Sequence, residues 1–521
     1  MDYTLPGEVL HLIGVGMDER LNGYDLSEGP QRCINLFRRC GGRAIVAHPA
    51  WSLNTVATLS ASCGFLEVEQ VGKSDIDTYF SEVSALQPAL NGCYHLLYSF
   101  YDREMLAYPE VTGDLVDLSS NNATWTNQYN FISTYLEETT AVGYIWKLGY
   151  SVIQNVNYII TYAPDLRKKN PDSASVIDNI LAQAYFLRAL THLDICLTYA
   201  QNYTYTSDAS HLGVPVMTSI PVVTDKMRRS TVREVYSQII ADLEKALSTF
   251  TAAYSFNEYF ASPAACKALL ARVYLYMNEY SRAASLSAEV MKEFPLTARE
   301  KYRNMFVNVA TRGGESILRL NGYDQSDFIS DLYYYESPSA RPSAKLKELF
   351  TDERDVRLTL FRHTANSGQT GQAVDYDNVC MKFYCTDETT NKLDRHFDPF
   401  ILRSSEMYLI NAEANYELGN TSVAADDIKA LEARALGVDA SEVVIDLASL
   451  ELTIQNERMK ELCFEGHRLF DITRRHENLS RSRNSTSSVL FLKYPDYRFV
   501  LPIPYLELES NPEMEQNPSS N

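Results

Sequence analysis

Two stretches of this chain repeat one spacing of small side chains, and that spacing restricts the fold more than any other feature. "SPAACKALLARVYLYMNEYSRAASLSAEVMKEFP" begins at Ser262, and "SSEMYLINAEANYELGNTSVAADDIKALEARALG" begins at Ser404. Ala271, Asn278 and Ala283 of the first recur as Ala412, Gly419 and Ala424 of the second. Small residues at such intervals let two antiparallel helices approach closely, and Asn or Gly between them turns the chain. Pro263 after Ser262 is a helix start of the expected kind. One helical pair cannot bury its own apolar face, so two legible units require more degenerate ones.

Tyr274, Tyr280 and Pro295 complete the first stretch as a tetratricopeptide-like unit. Further helical periodicity runs through "IDTYFSEVSALQPALNGCYHLLYSFYDRE", broken only by Pro88 near a turn start, "VGYIWKLGYSVIQNVNYIITYA" and "SVIDNILAQAYFLRALTHLDICLTYAQNY". The expected fold is mainly α, a helical-repeat scaffold over about 140–295 and 403–476. Between these blocks, about 296–402, Gly, Ser, Asp and Tyr become dense and give a loop-rich insert with short strands such as "ESILRL". The tail 489–521, punctuated by Pro and Asn, reads as extended chain lying against the body. Residues 1–58 differ: "EVLHLIGVGMDE", "GPQRCINLFRRCGG" and "RAIVAHPAWSL" read as strand, helix, strand, a short fragment of α/β type.

With 47 Lys and Arg against 67 Asp and Glu, the net charge is −20, which disfavours a nucleic-acid partner. The 9 Cys include no CxxC pair, so zinc spacing is absent; Cys380 and Cys385 are close enough for a loop disulfide, but buried free thiols fit an odd total better. No apolar run reaches the ~18 residues that cross a bilayer. In "ERMKELCFEGHRLFDITRR", Met459, Leu462, Phe464, Leu469 and Phe470 form a core stripe. Glu457, Glu461 and Glu465 at i, i+4 spacing are read as pairing with Arg458, Arg468 and neighbouring basic groups. His467 and His476 read as helix-face residues. No catalytic residue, metal ligand set or cofactor site is assigned.

"ILRSSEMYLINAEANYELGN", "IQNERMKELCFEGHRLFDITRR" and "VLPIPYLELESNPEMEQNP", with "DNILAQAYFLRALTHLDICLTYAQNY…LGVPVM" and "RSTVREVYSQIIADLEKAL", resemble the SusD/RagB family in sequence and order over about 63–521. The resemblance implies a Bacteroidetes surface lipoprotein of the outer membrane. Such a protein captures glycans, oligosaccharide or polysaccharide, without cleaving them and passes them to a SusC-like TonB-dependent transporter. A helical-repeat adaptor for peptide or protein ligands, as in the RagB branch, is the alternative. The family resemblance also implies that Cys63, opening "CGFLEVEQVGKS", is the ancestral lipid anchor, the only membrane attachment if the chain is processed there, though it is not expected to be lipidated from this chain as written. The preceding "AHPAWSLNTVATLSAS" is broken by His, Pro and Asn and makes a poor signal peptide, so the expectation is a fused or mis-started gene with its junction within 55–70. Upstream, "GVGMDE…GGRAIVAHPAWSLNT" resembles the latter half of a PHP-type metal-dependent phosphoesterase, implying a ligand at His48. The H-x-H pair of that family is missing, so the fragment is expected to be incomplete and to hold no metal.

Sugars present apolar C–H faces ringed by hydroxyls, and a flat exposed ring beside polar groups is the economical way to hold them. By composition, "SSNNATWTNQYN" offers Trp125, Asn127 and Tyr129, and "NGYDQSDFISDLYYYES" offers Tyr323, Tyr333 and Tyr335. Trp146, inside "VGYIWKLGY", is expected in the core.

Overall fold

The computed structural model describes residues 2–5, 8–15, 43–47, 76–119, 124–222, 226–307, 314–322, 328–366, 373–386, 393–394 and 397–518. The chain divides into two compact units, Met1–Asp75 and Ile76–Asn521. In the first, β1 (Asp2–Leu5), β2 (Glu8–Val15) and β3 (Arg43–Ala47) make one antiparallel sheet in that order, with Leu12 opposite Val46. Both apolar runs expected as strands are strands. The helical stretch between them, His48 and Cys63 lie outside the described residues.

The second unit is mainly helical. Its longer helices are α1 (Leu86–Phe100), α2 (Ala141–Lys169), α3 (Ala174–Tyr199), α4 (Val232–Thr249), α5 (Pro263–Tyr276) and α6 (Tyr280–Glu293). They continue as α7 (Ser404–Glu417), α8 (Thr421–Leu436), α9 (Leu450–Leu462) and α10 (Arg468–Arg474). From α1 to α8 each helix packs on the next, and α9 packs on α7 and α8. The stack passes directly from α6 to α7, so residues 294–403 interrupt the sequence but not the helical layer.

Local chemistry sets the ends of these helices. Ser262 accepts the Ala265 N–H at the start of α5, and Thr231 with Glu234 forms a reciprocal capping box on α4. At the two repeat turns Asn278 has φ +60° and Gly419 φ +80°. Behind them the Glu279 N–H reaches the Tyr274 carbonyl at 2.9 Å, and the Asn420 N–H reaches Asn415 at 2.8 Å. These are the same six-to-one closures, which require a left-handed residue at the turn. Ala271, Ala283, Ala412 and Ala424 are all fully buried where the helices meet. The repeat spacing therefore reports real helix–helix contacts.

Several expectations need correction. Within Pro171–Tyr199 one 18-residue window is apolar enough to cross a bilayer, but 89% of it is buried, as befits a core helix packed between α2 and α4. The tail does lie against the body, with the Leu501 N–H on the Thr198 carbonyl at 2.9 Å, yet Tyr505–Ser510 is helical. His467 and His476 flank α10 rather than lying on its face: His467 precedes it, and His476, at φ +56°, ends the turn after it. Cys380, by contrast, is a buried free thiol as expected.

The three Glu at i, i+4 spacing are paired, Glu457 with the neighbouring Lys460 as expected, but Arg458 and Arg468 go to other acids. Arg458 binds Asp471 at 2.7 Å and Arg468 binds Asp114 at 2.6 Å. Glu461 instead meets Arg403 at 2.7 Å, Arg434 at 2.8 Å and Arg357 at 3.3 Å. Glu457 pairs with Arg357 at 2.8 Å, and Glu465 pairs with Arg403 at 2.7 Å and Lys382 at 2.5 Å. Glu315 closes the set on Arg403 at 2.6 Å. Arg357, Lys382, Arg403 and Glu315 belong to the insert or its edges, so this buried network fastens the insert to α8 and α9.

The insert is built of short pieces. β4 (Val116–Leu118), from outside it, pairs with β6 (Ala340–Pro342), while β5 (Ser316–Arg319) pairs with β11 (Phe400–Arg403) at its base. Between them β7 (Arg362–Asn366) and β8 (Ala373–Asp377) form a hairpin, and β9 (Cys385–Thr386) pairs with β10 (Leu393–Asp394).

The buried acids predict a pH dependence. Burial pushes Glu104 up to about 8 and Asp194 and Asp427 up to about 7. These groups hold protons in the folded state that the unfolded chain has released, so stability falls as pH rises through those values. The Arg-paired Glu406, Glu413 and Asp114, held at about 2, change nothing in that window. The urea midpoint is expected to be higher at pH 5.5 than at pH 8.5; an equal or reversed order would contradict the burial of these acids.

Candidate functional site

The structure redistributes the six expected ligand contacts. Trp125 is 6% exposed and precedes the short helix Thr126–Tyr129. Tyr129 is 2% exposed; its hydroxyl bonds Ser485 at 2.6 Å and Asp117 at 3.1 Å, and the Arg481 guanidinium lies 4.2 Å from its ring centroid. Tyr333 is fully buried against Phe383, with ring centroids 5.1 Å apart. These three rings are core, and none presents a face to solvent. Asn127 is half-buried and donates to Glu137 at 3.1 Å. Tyr323 lies outside the described residues. Trp146 is buried as expected, its Nε1 donating to Glu507 at 3.2 Å.

Of the five described, only Tyr335 keeps an aromatic ring at the surface. It is half-buried and stands edge-on to His363 at 4.7 Å and to Tyr376 at 5.2 Å, with the Tyr334 ring at 5.3 Å. His363 and Tyr376 are directly opposed across the β7–β8 hairpin, their rings within 17° of parallel. Tyr384, buried below, touches the Tyr335 edge at 5.8 Å and fixes the group from beneath. Neither the His363 nor the Tyr376 side chain has a hydrogen bond to a described residue. Burial, with Arg303 adding to it, lowers the His363 pKa, so the ring is neutral at pH 7 and offers one donor and one acceptor. The arrangement is a shallow platform of rings edged by polar atoms. Reading "RHTAN" and "AVDYD" as two strands closed by the Gly-bearing "SGQTGQ" would have placed His363 beside Tyr376.

The same segment carries a second aromatic contact at its other end. Phe328, 45% exposed, lies 4.1 Å from the Arg103 guanidinium, which also stacks at 3.6 Å on Tyr144 of α2. Sequence reasoning did not find Arg103, because no local pattern marks it.

A separate cleft of about 430 Å³ opens between residues 131–135 and the tail. Tyr135, 43% exposed, and Tyr497, 36% exposed, rim it. Its polar lining is mostly engaged internally: Arg498 on Asp496, Gln516 on Ile503, and Asn517 on Tyr199 and Leu501. Gln128 Oε1 and Ser133 Oγ are left without a partner among the described residues. The cleft suits an apolar group better than a hydroxyl-rich one. Among the described residues no cluster of His, Cys, Asp or Glu has a metal-binding arrangement.

Comparison with known proteins agrees with this architecture. The sequence profile of the SusD family matches residues 332–519, and a second profile, starch-binding associating with outer membrane, matches residues 65–275. SusD-like protein P2 of Formosa agariphila is 25% identical over 79% of this chain and 87% of its own. A putative sugar binding protein of Bacteroides vulgatus is 26% identical, with a TM-score of 0.73 over 84% of this chain and 98% of that one. A SusD superfamily protein of Bacteroides thetaiotaomicron superposes with a TM-score of 0.75 at 24% identity, covering 84% of this chain and 100% of its own. Both profile matches lie beyond residue 64, and no finding supports the phosphoesterase resemblance of residues 1–58. Residues 65–519 thus carry the sequence and the helical fold of non-catalytic binding proteins, and the chain belongs to the SusD/RagB family.

Proposed function

We propose that this chain captures a saccharide on the Tyr335–His363–Tyr376 platform and hands it to a SusC-like TonB-dependent transporter for uptake. The carrying observation is the half-buried ring group, with the His363 and Tyr376 polar atoms unbonded among the described residues, on an insert that the helical stack holds in place. The starch-binding description of the profile over residues 65–275, and the sugar-binding description of the Bacteroides vulgatus relative, support a carbohydrate ligand. In this reading the protein works at the outer-membrane surface as a lipoprotein anchored through Cys63. The apolar walls of the 430 Å³ cleft favour a second reading, docking of a peptide or protein side chain, as an adaptor would require.

A glycan array probed with the full chain, followed by titration calorimetry on the best binder, tests this. Tyr335→Ala is expected to weaken binding about tenfold, ~1.4 kcal/mol, a reasonable size for one stacking ring. Stability should change little, because the ring is only half-buried. Undiminished affinity in Tyr335→Ala and in Tyr376→Ala would move the site off the platform. Binding of peptides and of no glycan would favour the adaptor reading.

A further inference from the structure

Among the described residues, Arg103 is a cation with no hydrogen-bonded acid partner. It sits in the π-helical turn Tyr101–Met105, a type of bulge often found at functional sites. Its guanidinium is held between the Tyr144 ring at 3.6 Å and the Phe328 ring at 4.1 Å. Stacking of this kind fixes the plane of the group and leaves its N–H edge to act as a fork. The nearest acid at ion-pair distance is Glu104, at 3.8 Å, too far for a hydrogen bond. No side-chain N–H of Arg103 finds an acceptor among the described residues, and Nε is buried without one.

Burial pushes the Glu104 carboxyl up to about 8 against the opposing pull of the Arg103 charge, with Asp102 adding to the rise. Lys147, exposed one turn along α2 from Tyr144, is close enough that the Arg103 charge adds to burial in lowering its pKa. Arg103 and Lys147 thus lie within electrostatic reach of each other on a chain of net charge −20. A guanidinium fork matches the two oxygens of a carboxylate or a sulfate ester, a pairing about twice as strong as a neutral hydrogen bond. Phe328, 45% exposed, puts a ring beside it for the C–H face of the same sugar.

We infer that Arg103, with Phe328 and Tyr144, forms a subsite for the acidic group of a negatively charged saccharide. This rests on the saccharide-binding reading above and narrows it to acidic glycans. The segment 328–335 connects the two contacts, Phe328 at the acid-binding end and Tyr335 at the platform.

Titration calorimetry of the full chain with a uronic-acid oligosaccharide, a sulfated oligosaccharide and a neutral one of equal length tests the inference. An acidic ligand is expected to bind at least about tenfold tighter than the neutral one, and its affinity to fall as NaCl rises. Preference between the uronate and the sulfate distinguishes the two sources of negative charge. Arg103→Gln should remove the acidic preference and the salt dependence while neutral binding persists; Phe328→Ala should weaken acidic binding without touching the charge. Equal binding of neutral and acidic ligands by the unaltered chain, with no salt dependence, overturns the inference and leaves the saccharide reading standing. Binding of no glycan of any charge overturns both.

Discussion

Glu461→Gln is expected to destabilise the helical unit by about 3–5 kcal/mol, the usual loss when one member of a buried charge network is removed. The side chain is fully buried, and its carboxylate faces Arg403, Arg434 and Arg357 together. Those three guanidinium groups, led by Arg434, hold it well below the usual carboxylate range. Glutamine keeps the shape but removes the charge, leaving Glu315, Asp355, Glu457 and Glu465 to balance Arg357, Lys382, Arg403, Arg434 and Lys460. Denaturant melts of the two proteins measure the difference. Glu289→Gln is the control: Glu289 pairs with Lys267 at 2.7 Å, but the pair is 46% and 39% exposed. Its loss should be within about 1 kcal/mol, as for other surface pairs. A comparably small effect at Glu461 would mean that the network rearranges around the loss.

The same substitution should also lower ligand affinity. Arg357 leads into β7, Lys382 precedes β9, and Arg403 closes β11, so the network anchors the insert that carries the hairpin. Its loosening reaches His363 and Tyr376 through the backbone.

The scaffold was legible because its signals are local. Small residues at fixed intervals, a Ser before a Pro, and Asn or Gly at a turn each act within a few residues, and Asn278 and Gly419 adopt the left-handed turn that such placement demands. The regular spacing of Glu457, Glu461 and Glu465 likewise announced that they pair. Beyond Lys460, which pairs with Glu457, it did not announce with what, since the other partners arrive from residues 357, 382, 403 and 434. The ligand surface was hidden for the same reason. "SSNNATWTNQYN" reads as exposed because its residues are polar, yet Gln128 donates to Glu137 at 3.1 Å and Asn130 accepts the Ser488 N–H at 2.8 Å. The polar flanks are the means by which the segment is sewn into the body. Ser485, Ser487 and Arg481 complete that seam from more than 350 residues away, beyond any local pattern.

Trp125→Ala and Trp146→Ala should therefore behave alike, each costing about 3–5 kcal/mol as a large buried aromatic is truncated. Both side chains belong to residues only 6% exposed. Trp146 packs at 5.0 Å against Tyr199 and at 4.8 Å against Tyr150, so its loss opens a cavity between α2 and α3 and frees Glu507. Trp125 sits at the head of the turn whose Tyr129 carries the Arg481 and Ser485 contacts, and its loss should loosen residues 125–131 along with the tail they touch. Denaturant melts read the stability, and titration with the best glycan at low temperature reads affinity in the fraction still folded. Tyr335→Ala should give the opposite pair of results, near-native stability with weakened binding. An exposed stacking ring at Trp125 would instead lose affinity while leaving the melt unchanged. That outcome would mean the ring lies open to ligand in solution, and the site would move from the β7–β8 platform to residues 125–135.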